Sequence, residues 1–127
     1  MNKILVLGGG SWGTTLANLL AEKDHDVSLW ARNPKIFKKF KNYWINNQYL
    51  SKYKISKNLK IVSDLKDAFL DVDLVIVAIP SKSFRSISSK ISKYLDNQKI
   101  LIASKGIENE SFMTMSEVFI DETNHSK

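Results

Sequence analysis

The sequence predicts an α/β fold: a single domain over residues 1–127 with a doubly wound parallel sheet. Two observations lead to this prediction. Apolar runs such as residues 4–7 and 74–79 are too short for helices and too uniform for strands with one solvated face. Between these runs, apolar residues recur at helical spacing. This strand–helix alternation is typical of a parallel sheet that is covered by helices on both faces.

The first strand, residues 4–7, leads into a glycine-rich turn over residues 8–13. Apolar residues after the turn recur at i, i+3, i+4 and i+7, which is typical of an amphipathic helix. In such a turn Gly8 allows a tight bend, Gly10 lets the backbone approach a pyrophosphate, and Gly13 lets helix and strand pack closely. The free amides and the positive end of the helix dipole then face the anion, so the turn predicts a phosphate cradle.

The next segment predicts a second strand, a helix and an irregular loop. Residues 27–31 form the strand, and Asn33 is suited to cap a helix that has Pro34 at its first position. The apolar face of that helix would hold Ile36, Phe37, Phe40, Tyr43 and Trp44. Residues 46–58 are rich in Asn, Lys, Ser and Tyr without a clear period, which indicates a loop.

The second half of the chain repeats the alternation of strands and helices. Strands are predicted at residues 59–62, 74–79 and 100–103, and Pro80 ends the middle one. Helices are predicted from a cap at Ser63 or Asp64 to Leu70, over residues 81–95, and around Phe112, Met115, Val118 and Phe119, with a frayed tail over residues 122–127. This pattern predicts a Rossmann-type α/β domain.

Composition limits the partners that we expect. Nineteen Lys and Arg residues outnumber thirteen Asp and Glu, which gives a net charge of +6. The lysines are spread over predicted helix faces and loops, so we expect a solvated basic surface and no nucleic-acid partner. The sequence has no cysteine, no cluster of metal ligands, no apolar run that would span a membrane and no signal-peptide pattern. We therefore expect a cytoplasmic protein without a bound metal.

The candidate site lies at the carboxyl ends of four predicted strands. Residues 8–13, Arg32, residues 80–81 and residues 104–106 occupy these ends, and open parallel sheets bind ligands where such ends converge. The acidic residue that usually holds the ribose 2′-hydroxyl of NAD is missing after the second strand. Arg32 stands there instead, and it would pair with the 2′-phosphate of NADP or stack on adenine. The alternative is a solvated arginine in front of a helix cap.

Two further positions carry alternatives of the same kind. Lys105 follows the last strand, where it would clamp an anionic substrate or hold a carbonyl oxygen near a nicotinamide, unless it is a surface lysine. Ser81 either contacts the ligand or caps its own helix. His25 lies in a polar turn and His125 in the terminal tail, so neither is predicted to be catalytic.

Several motifs together resemble one enzyme family. They are Gly8-Gly9-Gly10-Ser11-Trp12-Gly13-Thr14, Leu29-Trp30-Ala31-Arg32, Asn47-Gln48-Tyr49-Leu50, Ile79-Pro80-Ser81 and Ser104-Lys105-Gly106-Ile107. In this order, and over essentially the whole chain, they are similar to the N-terminal cofactor-binding domain of bacterial NAD(P)-dependent glycerol-3-phosphate dehydrogenases. The resemblance implies NADP or NAD as cofactor. It also implies reversible hydride transfer between NAD(P)H and dihydroxyacetone phosphate, giving sn-glycerol 3-phosphate for phospholipid synthesis.

The resemblance also implies roles for individual residues. The cofactor-binding set is Gly8, Gly10, Ser11, Trp12, Gly13, Arg32, Tyr49, Pro80, Ser81 and Lys105. Within it, Ser11 and Trp12 would contact the cofactor phosphates and nearby groups, and Arg32 would hold the adenosine end. Tyr49 would close over the cofactor, and Lys105 would touch both the nicotinamide and the substrate.

The chain departs from the family pattern at three points. Gly9 replaces a frequent alanine, and Ser51-Lys52 stands where the family usually has Pro-Gly, which leaves the loop after Tyr49 less constrained. The helical C-terminal domain of the family is expected to lie outside these 127 residues. Because that domain supplies the catalytic lysine and most substrate contacts, no catalytic residue is assigned here. The resemblance therefore implies cofactor binding with little turnover, and it allows a homo-oligomer.

Two other functions stay open at this point. The first is the cofactor domain of another two-domain reductase, of the 2-hydroxyacid or ketopantoate type. Such reductases share the glycine turn but do not predict Ser11-Trp12 together with Ser104-Lys105-Gly106. The second is a non-catalytic nucleotide-binding module that regulates a partner, a function for which no residue of the sequence provides positive support.

Overall fold

A computed structural model describes residues 2–125 and contains two sheets and four α-helices in that range. The larger sheet consists of β1 (Lys3–Leu7), β2 (Asp26–Trp30), β6 (Lys60–Val62), β7 (Leu74–Val77) and β8 (Lys99–Ile102). The smaller sheet consists of β3 (Phe37–Lys39), β4 (Tyr43–Asn46) and β5 (Leu50–Ser56). The helices are α1 (Ser11–Glu22), α2 (Leu65–Ala68), α3 (Ser81–Ile91) and α4 (Met115–Thr123). Single 3₁₀ turns occur at Pro34–Ile36 and Ser92–Tyr94.

The larger sheet is entirely parallel, with the strand order β6-β2-β1-β7-β8. Leu7 pairs with both Trp30 and Val77, and Val77 pairs with Ile102, so the carboxyl ends of four strands lie in one row. The strand order reverses between β1 and β7, which creates a crevice at their carboxyl ends. This arrangement confirms the predicted Rossmann-type doubly wound sheet.

Both faces of the larger sheet are buried, as the apolar strands predict. Ile4 and Val6 face α1 and the smaller sheet, whereas Leu5 and Leu7 face α2, α3 and α4. All four side chains are buried, and each such burial contributes about 1.5–3 kcal/mol to the free energy of folding. The central strand therefore ties the two hydrophobic clusters together and fixes where its carboxyl end lies.

The smaller sheet corrects the predicted helix after Asn33. The Asn33 side chain does act as a cap, accepting a hydrogen bond from the Lys35 amide at 3.2 Å, but only of a single 3₁₀ turn. The chain then forms β3 and β4 in antiparallel pairing. Phe37 and Phe40 were expected on one helix face, yet Phe37 is buried in the core and Phe40 is exposed. Packing of Phe37 and pairing with β4 therefore outweighed a helical period that was only local.

The loop predicted over residues 46–58 is also corrected, because it contains β5. Ile55 is the buried residue of this strand, while Lys52 and Lys54 are exposed. A strand with one inward apolar side chain has no alternating pattern that a sequence could display. Antiparallel hydrogen bonding to β4, together with the burial of Ile55 beneath α1, stabilises it instead.

In the second half of the chain the predicted strands and helices are present, but several begin or end a few residues away from the predicted positions. Asp64 caps α2 by accepting the Asp67 amide at 3.0 Å. Helix α4 begins after Thr114, which forms a reciprocal capping box with Glu117. Phe112, predicted on the apolar face of this helix, precedes it and is 81% exposed. The predicted frayed tail is wrong up to Thr123, which is still helical, and residues 126–127 lie outside the described part of the chain.

Within residues 2–125, no helix has both the length and the apolar character needed to cross a membrane.

An ion-pair network joins α3 to the loop before α4 and to α4 itself. Arg85 donates two hydrogen bonds of 2.8 Å to Glu108 and one each to Asp121 and Glu122, at 2.8 and 2.9 Å. The hydrogen bonds from Arg85, assisted by one from Ser111, lower the pKa of Glu108 to about 2. Its charged form is therefore favoured by folding.

This network predicts an acid-sensitive contribution to stability, tested with Glu108→Gln. Because the pKa of Glu108 is lower in the folded chain, the contribution is present above pH 4.5, the ordinary value, and is lost as the pH falls towards 2. We expect Glu108→Gln to melt below the wild type at pH 7, and this difference in melting temperature to vanish near pH 2. Glu110→Gln, an exposed neighbour, is the control. A difference in melting temperature that is independent of pH would contradict the prediction.

Candidate functional site

The glycine turn is held by close backbone packing between β1, β7 and α1. Gly8 has φ +122°, and its amide donates to the Trp30 carbonyl at 3.0 Å. A Cβ at Gly8 would overlap the carbonyl oxygen of Ala78, and a Cβ at Gly13 would overlap the carbonyl oxygen of Gly8. These two positions therefore exclude any side chain, and the strand and the helix meet at backbone distance.

Gly10 has a different environment from the other two motif glycines. It caps α1 in an extended conformation, and a Cβ built on it has no neighbouring atom within 4 Å. The first amides of a helix have no partner inside the helix, and the first turn of α1 contains no acidic side chain that would compete for them. The space above Gly10 is thus open to an anion that can accept these amides.

A cavity of about 240 Å³ opens on one side of the turn, at the carboxyl ends of β1, β2 and β7. Ala31, Ile36 and Ile79 contribute apolar surface, while Arg32 and Gln48 contribute polar groups. Arg32 is exposed and forms no ion pair within residues 2–125, so its guanidinium is available to an external anion. We call this the adenosine-side cavity, because Arg32, which is expected to hold the adenosine end of the cofactor, lines it.

A larger cavity of about 550 Å³ lies on the other side of the turn. Residues 10–13 line it together with Ala103, Ser104 and Lys105 beyond β8. Tyr49, Ile79 and Pro80 line both cavities and form the boundary between them. We call this the nicotinamide-side cavity, because Lys105, which is expected to touch the nicotinamide, lines it. The cavity brings the glycine turn and Lys105 to one place.

The electrostatics of the two cavities favour an anion. Arg32 and Lys105 are the charged residues that line them, and neither lining contains an Asp or a Glu. The sequence has no acidic residue between Asp26 and Asp64, which covers the whole segment around the adenosine-side cavity. A ligand with phosphate groups would therefore meet no like charge along these walls.

Ser81 is the one predicted site residue that lines neither cavity. It is the first residue of α3, where Pro80 is the cap residue and no side chain forms a cap hydrogen bond. The capping role considered for Ser81 is therefore wrong. Its side chain packs near Gly106, where a Cβ would lie 3.1 Å from the Ser81 Cβ, so Ser81 borders the loop that carries Lys105.

Two polar residues have roles that the sequence did not predict. Ser104, which belongs to the predicted segment 104–106, accepts a hydrogen bond from the Ile79 amide at 2.9 Å and so links the ends of β7 and β8. Asn46, placed in a predicted loop, is completely buried behind the glycine turn. An isolated asparagine among polar residues carries no sequence signal of burial, so its role emerges only from the fold.

The two histidines lie away from both cavities. His25 follows α1, and the ring of His125 bonds to the Gln98 carbonyl at 3.0 Å. Among residues 2–125 there is no group of three His, Asp or Glu side chains arranged to hold a metal ion. Arg32, Lys105 and the first backbone amides of α1 are groups at the described cavities that could bind an anion.

Comparison with known proteins adds a family to this geometry. Residues 3–127 match the sequence model of the NAD-dependent glycerol-3-phosphate dehydrogenase N-terminus. A relative from Acinetobacter baumannii strain SDF, named glycerol-3-phosphate dehydrogenase [NAD(P)+], is 39% identical over 120 residues, covering 94% of this chain and 34% of the relative. A relative of the same name from Levilactobacillus brevis is 38% identical over 124 residues, with 94% and 37% covered. The chain thus spans about a third of the length of these curated relatives.

A solved structure shares the fold over nearly the whole chain. The crystal structure of glycerol-3-phosphate dehydrogenase from Coxiella burnetii superposes with a TM-score of 0.86 at 30% identity. The match covers 98% of this chain and 38% of that one. The parallel sheet and the helices flanking it therefore occur together in a solved relative.

Proposed function

This chain belongs to the family of NAD-dependent glycerol-3-phosphate dehydrogenase N-termini, and from that premise we propose that it is the dinucleotide-binding part of such an enzyme. The observation that carries the proposal is the pair of cavities that adjoin at Tyr49, Ile79 and Pro80, with the glycine turn beside their boundary. A dinucleotide has the matching order of parts, since its pyrophosphate lies between adenosine and nicotinamide.

In the proposed binding mode each part of the cofactor meets suitable groups. The adenosine moiety occupies the adenosine-side cavity, with Arg32 at its ribose, and Tyr49 lies over the cofactor. The pyrophosphate accepts amides at the start of α1, above Gly10, where nothing obstructs its approach. The nicotinamide enters the nicotinamide-side cavity towards Lys105. Taken together, the two cavities have a volume within the range of about 300–1,000 Å³ that is typical of a small-ligand cleft.

The proposed reaction is the reversible oxidation of sn-glycerol 3-phosphate to dihydroxyacetone phosphate, a step that supplies phospholipid synthesis. The bound dinucleotide would supply the hydride acceptor. Lys105 is proposed to hold the anionic substrate near the nicotinamide, because a cation is suited to a phosphate or a developing oxyanion. The group that takes the hydroxyl proton is proposed to come from the part of the enzyme beyond this third of the relatives' length.

We expect Arg32 to determine the preference for NADPH over NADH. A guanidinium bonded to the 2′-phosphate contributes about 1.5–3 kcal/mol, so Arg32→Ala should weaken NADPH binding by roughly 10- to 100-fold. NADH has a hydroxyl there, and its affinity should change by less than about threefold. Fluorescence titration with each nucleotide measures both effects, since the exposed Trp12 lines the nicotinamide-side cavity.

Lys38→Ala is the matched control for this experiment. It removes the same charge from an exposed position on β3 that lines neither cavity. An equal loss of NADPH affinity in both variants would show that only net charge matters. If the wild type bound neither nucleotide, the proposed function itself would be wrong.

Turnover assays separate the proposal from the two alternatives. With these 127 residues, we expect saturable binding of NADPH but little oxidation of it when dihydroxyacetone phosphate is added, because they span about a third of the relatives' length and the proton-accepting group is proposed to lie in the other part. A ketopantoate or 2-hydroxyacid reductase would instead respond to its own oxo acid. The three functions are distinguished when the other two thirds of a family member are fused to these residues: the proposal expects turnover of dihydroxyacetone phosphate by the fusion, whereas a regulatory module would bind nucleotide and give no turnover.

A further inference from the structure

Asn46 is a buried polar residue that joins three parts of the proposed site. It ends β4, and its side chain has no exposed surface. The side-chain nitrogen donates to the Gly9 carbonyl at 2.9 Å and to the Thr14 hydroxyl at 3.1 Å. The side-chain oxygen accepts the backbone amides of Gln48 at 3.2 Å and Tyr49 at 3.1 Å. One amide group thus links the glycine turn, α1 and the loop that carries Tyr49.

The chemistry of these partners leaves a single orientation for the Asn46 amide. A backbone carbonyl can only accept a hydrogen bond, and a backbone N–H can only donate one. The nitrogen must therefore face Gly9 and the oxygen must face the Gln48 and Tyr49 amides. An aspartate, which has no donor, satisfies only the loop side, and in a serine or threonine a single hydroxyl oxygen would have to serve both sides at once.

We propose that Asn46 is a positioning residue for dinucleotide binding, an inference that rests on the proposed function. Tyr49 is half exposed and lines both cavities, so its own side chain has little packing to hold it in place. Its backbone amide is tied to the turn through Asn46. Asn46 therefore sets the distance between the Tyr49 side chain and the glycine turn, and this distance defines the boundary of the two cavities.

The test uses Asn46→Asp, with Asn47→Asp as a matched control. Asn46→Asp retains the shape but removes both donors and directs a negative charge at the Gly9 carbonyl, so the loop and the turn should separate. We expect affinity for both NADH and NADPH to fall at least about tenfold. Asn47 is exposed, and the same substitution there makes the same change of charge, so affinity should stay within about twofold.

A double-mutant cycle with Tyr49→Ala separates positioning from a general structural role. If Asn46 acts through Tyr49, the loss of affinity caused by Asn46→Asp should be several-fold smaller once Tyr49 is alanine. A residue that only stabilises the fold would give additive losses of affinity. Circular dichroism and thermal unfolding of each variant establish that the compared chains are folded. Asn46→Ser, which keeps a donor for the Gly9 carbonyl, replaces Asn46→Asp in the cycle if the latter does not fold.

Each outcome decides the proposal. Tenfold weaker binding with non-additive coupling to Tyr49 supports it. Equal affinities of the Asn46 and Asn47 variants, additive losses with Tyr49→Ala, or failure of both Asn46 variants to fold would overturn it, the last because the residue would then be structural. If the wild type binds dinucleotide but the Asn46 variants give one of the overturning results, only the role of Asn46 is wrong and the proposed function stands. If the wild type binds neither NADH nor NADPH, both proposals are wrong.

Discussion

Gly13→Ala is expected to destabilise the chain by about 3 kcal/mol or more. The added Cβ would overlap the backbone oxygen of Gly8, which belongs to the turn between β1 and α1. Gly8 is held in place by the hydrogen bond that its amide donates to the Trp30 carbonyl. Backbone at a buried turn cannot move aside as a flexible side chain can. Helix propensity acts in the opposite direction, because alanine is favoured over glycine inside a helix by about 1 kcal/mol. The steric overlap is the larger of the two effects, so a loss of stability in Gly13→Ala indicates overlap and a gain indicates helix propensity.

Urea unfolding followed by circular dichroism measures this effect. We expect a lower midpoint with an unchanged slope, which indicates a change of stability without a change of the surface exposed on unfolding. An exposed helix position such as Leu19→Ala provides a reference for alanine within α1. A Gly13→Ala variant that is more stable than the wild type would mean that the turn relaxes and that the close packing of α1 on β1 is not required.

Gly10→Ala is expected to have the opposite combination of effects: a small loss of stability and clearly weakened dinucleotide binding. Its φ of −73° suits alanine and the new methyl group has no neighbour within 4 Å, so the loss of stability should be only the cost of alanine relative to glycine at a helix N-cap, about 1 kcal/mol. The methyl group enters the space that the pyrophosphate is proposed to occupy. Losing one or two hydrogen bonds to a charged group, about 1.5–3 kcal/mol each, should weaken NADPH binding by at least tenfold.

The two glycine variants therefore separate folding from binding within one motif. Calorimetric titration with NADPH and NADH on Gly10→Ala should show both affinities reduced together, because the pyrophosphate is common to both. A variant that unfolds early would indicate that Gly10 has a structural role. Full retention of affinity would place the pyrophosphate elsewhere and contradict the binding mode proposed here.

The sequence was most informative where structure is determined by local pattern. The runs at residues 4–7 and 74–79 predict buried strands, because a strand covered on both faces must be apolar at every position. The glycine spacing predicts the turn, because only glycine permits the backbone contacts found at Gly8 and Gly13. Arg32 and Lys105 were predicted to lie near the turn because each follows a strand, and the carboxyl ends of parallel strands lie at the same edge of the sheet.

Residues 33–58 show where local pattern misled. The aromatic residues there fit a helical period, yet the chain forms three antiparallel strands. Each of these strands has a single buried side chain, so its hydrogen-bonding partner contributes most to its stability. A strand partner that lies several residues away is invisible to any pattern read within one segment.

This chain's sequence by itself determined the buried strands, the glycine turn and the family, because each is carried by short motifs that can be read one segment at a time. The tertiary structure alone decided the antiparallel sheet, the exposure of Phe112, the displacement of Ser81 from both cavities and the burial of Asn46. These features depend on contacts between distant segments, such as Asn46 with Gly9 and Thr14. The free energy of such a contact depends on both segments at once, so it cannot be inferred from the sequence of either segment alone.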